Sequence, residues 1–162
     1  MTEFDKLVAR AYKHAQKKMH REGEVWPTWF IIGPDDHELV KVTAWGAIED
    51  RRRVTAAMSF AMRTAKAQRF VLIAECWMAG PRNEEDVAQL MQSQESIADR
   101  PDRQEVVIVI GEDTSGERIS AWAEIQRAEG GRPRLGAMQR WDDSILTHLS
   151  GLLIDIPEQT RH

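Results

Sequence analysis

The sequence predicts an α+β fold: a single, largely antiparallel (or mixed) sheet of five or six strands with two main helices packed on it, in the order α-β-β-α-β-loop-β-β-β. Three observations carry that expectation. Apolar residues recur at helical spacing in two early segments, short branched runs bounded by turn residues mark the strands, and the two plainest strands, 105–111 and 117–127, flank a compact polar turn. With 162 residues, 42% of them hydrophobic and 30% charged, residues 1–162 fit one domain on the usual scale of about 100–200 residues.

Thr2 and Asp5 read as a capping box, the hydroxyl and the carboxylate each serving free N–H groups of a first helical turn. Phe4, Leu7, Val8, Ala11 and Ala15 then keep one apolar face to about Arg21, and Gly23 ends the helix. Residues 26–32 are aromatic and branched and predict a strand, with Pro27 at its start or on an edge because proline lacks a donor. Gly33, Pro34, Asp35 and Asp36 supply turn chemistry, and 39–43 returns as the second arm of a hairpin. Residues 49–68 predict the second helix, with Val54, Ala57, Met58, Ala61, Met62 and Ala65 on one face and Arg51, Arg52, Arg53 and Lys66 outward.

Residues 69–78 predict a central strand apolar on both sides. Phe70, Leu72, Ala74, Cys76 and Met78 point one way; Val71, Ile73, Glu75 and Trp77 point the other. If this strand runs parallel to the one before the second helix, the crossover is right-handed. After Gly80 and Pro81, residues 82–104 are polar and predict a mobile loop or a short helix capped by Asn83. On 117–127, Ile119, Ala121, Ala123 and Ile125 share a face; a turn at Gly130, Gly131 and Pro133 leads to a third strand over 134–141. Residues 145–156 keep near-helical spacing interrupted by Gly151, and 157–162 predict a frayed tail.

Charge is segregated. Residues 1–70 hold 13 Lys/Arg against 9 Asp/Glu, and residues 71–162 hold 9 against 17, for a net charge of −4. An acidic protein repels phosphate backbones, so nucleic acid is disfavoured as a partner. The exception is a basic stretch at Lys13, Lys17, Lys18 and Arg21, which a helix C-terminus also accommodates. One cysteine, no membrane-length apolar run and no charged-then-apolar leader predict a cytoplasmic protein without membrane partners.

Common catalytic signatures are missing. No glycine-rich phosphate loop, His-Glu-x-x-His or cysteine cluster occurs, so no cofactor, metal or catalytic residue is assigned. The acidic pairs Asp35 with Asp36, Glu112 with Asp113 and Asp142 with Asp143 suit turns rather than a calcium loop. The helix-strand-strand-helix-strand opening resembles, in layout, the zinc deaminases and related metalloproteases. It lacks their His-x-Glu and Pro-Cys-x-x-Cys motifs, so the resemblance implies a shape without the metal.

Two groups of residues remain as candidate sites. Glu75, Trp77 and Trp122 form a candidate pocket, Glu75 serving either as an acid or base in an apolar setting or as an arginine's partner at an exposed strand end. Cys76 reads as core or as a nucleophile with His37 as its base. Arg51, Arg52, Arg53, Trp45 and Trp141 form a candidate interface, since Trp and Arg are enriched at binding hot spots. The expected function is non-enzymatic: self-association as a homodimer, or binding of another protein. The alternative is a hydrolase-like enzyme or small-molecule binder with its pocket at Glu75 and Trp77, gated by the polar loop.

Overall fold

A computed structural model describes residues 1–44, 48–79 and 103–140. The first helix, α1, spans Glu3–Glu22. Its capping box is formed: the Thr2 N–H donates to the Asp5 carboxylate at 2.9 Å, and the Asp5 N–H donates to the Thr2 hydroxyl at 3.1 Å. At the other end Gly23 takes the left-handed conformation (φ 75°) and donates its N–H to the Met19 carbonyl, closing the helix as an L side chain would do only under strain.

The strands β1 (Thr28–Ile32) and β2 (Glu38–Val42) make the expected hairpin, and α2 (Ile48–Thr64) follows. Then come β3 (Arg69–Ala79), β4 (Arg103–Asp113), β5 (Arg118–Gln126), and two-residue strands β6 (Arg134–Leu135) and β7 (Gln139–Arg140). The sheet order is β2-β1-β3-β4-β5-β6, with β7 also on β5, and every neighbouring pair is antiparallel. Because β2 and β3 both run antiparallel to β1, they are parallel to each other with β1 between them.

Alternation along the strands sends two apolar sets to opposite faces. Phe30, Ile32, Val71, Ile73, Val107, Val109, Ile119, Ala121 and Ile125 pack with Phe4, Leu7, Val8, Ala11, Ala15 and Met19 of α1. On the other face Trp29, Ile31, Phe70 and Leu72 pack with Met58 and Met62 of α2. Ala74, Val106, Ile108 and Ile110 extend that second face as a separate cluster. The α+β class and antiparallel sheet expected from the sequence are therefore present, with β3 buried on both sides from Phe70 to Ala74.

Several boundaries differ from expectation: β1 begins at Thr28 rather than at residue 26, and β4 spans Arg103–Asp113 rather than 105–111, so Glu112 and Asp113, expected in the turn, end the strand. The second helix ends at Thr64 rather than Gln68, because Lys66 adopts φ 55° and the chain closes with Ala67 N–H to Met62 carbonyl and Lys66 N–H to Arg63 carbonyl bonds. The third strand expected over 134–141 is two fragments; Gly136 between them donates to the Glu124 carbonyl at 2.8 Å, and a Cβ there would sit 3.2 Å from the Gln126 side chain. The loop expected over 82–104 gives way to β4 at Arg103; its residues 82–102, and the expectations for 145–156 and 157–162, lie outside the described residues. At residue 111 the core leaves no space for a side chain. A Cβ on Gly111 would stand 2.6 Å from the Phe70 carbonyl oxygen and 3.2 Å from the Phe4 ring.

Candidate functional site

The pairing of β1 with β3 stops at Thr28 opposite Ile73, so Glu75 lies just past the end of β1, on the α1 face. There its Oε1 accepts the Val25 N–H at 2.6 Å, holding the segment that links α1 to β1. Burial pushes the Glu75 carboxyl above the usual glutamate range; the Val25 bond and Arg127 pull against this, while Glu105 and Glu24 add to it. Arg127 itself pairs with Glu105, Nε to Oε2, at 2.6 Å. Glu75 is thus half-buried, and the hydrogen-bond donor it holds is a backbone N–H.

The structure does not bring Glu75 and Trp122 of the candidate pocket together. Trp122 stands opposite Ile108 on the α2 face and packs with Ala74, Val106, Ile108 and Ile110. Glu75 stands opposite Val107 on the α1 face, so the sheet separates the two side chains. Trp77 is placed by its backbone alone, opposite Glu105. Cys76 packs on the same apolar cluster as Trp122. His37 is far from it, in the turn beside the Arg69 end of β3. At ~3.3 Å per residue, the seven residues from Arg69 to Cys76 span about 23 Å, so His37 cannot serve Cys76 as a base.

Of the candidate interface, Arg52 and Arg53 are exposed on α2, and Arg51 is placed by its backbone alone. Trp45 and Trp141 lie outside the described residues. Phe60, also on α2, is 74% exposed and faces away from the helix's buried Met58 and Met62.

The residues missed in the sequence are those of β2. This strand ends the sheet, and among the described residues nothing pairs with its outer side. Leu39, Val40 and Val42 are 54%, 48% and 60% exposed, three of the six large apolar side chains exposed to this degree among the described residues. Trp26, another of them, lies just before β1, where the Thr43 N–H bonds the Pro27 carbonyl. Val40 and Val42 oppose Phe30 and Thr28 on the α1 face, while Leu39 and Lys41 oppose Ile31 and Trp29 on the α2 face. Glu38 anchors the strand to α1 through Arg10 at 2.7 Å. A signal was present: Leu39, Val40 and Val42 are apolar at both parities, and Lys41 is a residue favoured on edges.

Among the described residues no three His, Cys, Asp or Glu side chains gather where they could hold a metal ion, and no helix is long and apolar enough to cross a membrane. In comparisons with known proteins, no family model, no curated protein and no solved structure matches this chain.

Proposed function

We propose that this protein works by association, offering the outer edge of β2 to a partner strand rather than performing chemistry on a small molecule. The observation that supports the reading is the gathering of Leu39, Val40 and Val42, all about half exposed, on an edge strand that has neither a proline nor a bulge and is blunted only by its short length and its charged Glu38 and Lys41. Native edges are ordinarily blunted, and an exposed apolar edge recruits a further strand through its main chain. The single cysteine fits a reducing, cytoplasmic setting for such a role.

The test is light scattering and sedimentation over a concentration series, together with titration of a synthetic peptide copying residues 36–44. Association, with itself or with the peptide, that Val42→Lys weakens supports the reading. A strict monomer that ignores the peptide overturns it.

A further inference from the structure

The hydrogen bonds of the hairpin set which β2 groups are available. The Thr43 N–H bonds the Pro27 carbonyl and the Gly33 N–H bonds the His37 carbonyl, each at 2.8 Å. In an antiparallel ladder bonded pairs alternate with unbonded ones, so residues 37, 39, 41 and 43 turn their main-chain groups toward β1. Glu38, Val40 and Val42 turn theirs outward. This outward set is symmetric about Val40.

We propose that the occupant of this edge is a second copy of the same chain, β2 pairing antiparallel with β2 about a two-fold axis at Val40; the proposal rests on the association reading above. In this register Val40 bonds Val40 of the other copy, and Glu38 bonds Val42 in both directions. With two bonds per bonded pair, roughly six main-chain hydrogen bonds form and no outward group of the strand is left over. The side chains agree with this register. Val40 meets Val40 on the α1 face, and Leu39 meets the aliphatic stem of Lys41 on the α2 face. Moving the axis one residue to Lys41 would set the two ammonium groups directly opposite each other, which is destabilising.

Charge fixes the orientation of the two copies. Antiparallel pairing brings the exposed Asp35 and Asp36 turn of each copy toward the Lys41 end of the other, whereas parallel pairing would put the acidic turns together. The faces are continuous across the pair, α1 side with α1 side, because the two-fold stands normal to the sheet. The contact is isologous, the same patch serving both partners.

The register dictates the test. Val40→Pro removes an outward N–H and leaves the β1 ladder its donors, a placement that edge strands tolerate. The wild-type chain is expected to approach twice its monomer mass with rising concentration. Val40→Pro is expected to raise the dimer dissociation constant at least tenfold with an unchanged far-ultraviolet spectrum. Val40→Cys reports independently of that variant's folding: Cα atoms in a bonded pair lie about 5.5 Å apart, within disulfide reach, so mild oxidation yields a covalent dimer. Leu39→Cys, facing Lys41, does not cross-link. A dimer that forms equally well with Val40→Pro, or that cross-links through Leu39→Cys instead, overturns the proposal. A monomeric wild type that binds the 36–44 peptide in a Val40→Pro-sensitive way also overturns it while leaving the association reading standing. A monomer that ignores the peptide ends both.

Discussion

Replacing Glu75 separates its role as an acceptor from its role as a charge. Val25 is buried, and its N–H has the Glu75 Oε1 at 2.6 Å. Glu75→Ala removes that acceptor, and a buried donor left without a partner costs about 1–3 kcal/mol. At about 2–4 °C per kcal/mol for a chain of this size, the melting temperature falls by roughly 2–12 °C. Glu75→Gln keeps an oxygen for Val25 and removes a charge that burial disfavours, so at neutral pH it melts at or above the wild type. The pH dependence has a defined sign. Because the folded-state carboxyl titrates above its ordinary value, the wild type is favoured below that ordinary value and loses stability as pH rises through the raised one. The gap in melting temperature between Glu75→Gln and the wild type therefore opens with rising pH and closes on acidification. Differential scanning calorimetry at several points between about pH 4 and pH 8 measures it, spanning the ordinary and raised carboxyl ranges. An unchanged Glu75→Ala, or a gap that widens toward acid, refutes the assignment.

Three other perturbations probe the frame around the candidate edge. Gly111→Ala forces a Cβ against the Phe70 carbonyl oxygen and lowers stability by about 1–3 kcal/mol in urea unfolding. Adding Phe4→Ala leaves that loss in place, because the nearest obstacle is backbone; full rescue would show otherwise. Asp113 is pushed up by burial but held below its ordinary range by Ser115 and by Arg69, whose Nε lies 3.1 Å from Oδ2. Asp113→Asn is therefore destabilising above the ordinary aspartate range, and its deficit, followed by thermal melts, fades as pH falls through the depressed value. Phe60→Ser, on an exposed helix face, changes folding stability by no more than about 0.5 kcal/mol in the same unfolding assay.

Local chemistry made much of the fold legible. Thr2, Asp5 and Gly23 bound the first helix in the sequence as they do in the structure, and the two-sided apolar run from Phe70 to Ala74 marked the buried β3. Local chemistry was insufficient where a boundary used an unusual residue. Lys66 takes a left-handed conformation more often given to glycine, so nothing in its type announced the end of α2. The site was harder still. Glu75 stood out as a carboxylate beside apolar neighbours, but its partner is the main chain of Val25, fifty residues earlier, and a backbone N–H leaves no mark in composition. The separation of Glu75 from Trp122 depends on the β3–β4–β5 register. Exposure of Leu39, Val40 and Val42 depends on which strands border the sheet, a long-range property of the strand order. The same apolar letters would suit a central strand.

The sheet's two borders are unlike, and that difference governs how far any assembly can grow. Among the described residues one margin is the five-residue β2, regular and carrying the exposed Leu39, Val40 and Val42; the opposite margin beside β5 carries the two-residue β6 and β7. Strand-by-strand polymerisation requires two complementary margins on every subunit, whereas a head-to-head union consumes the one regular margin found among the described residues of each participant. Growth through β2 would therefore terminate at two molecules instead of propagating into a fibre.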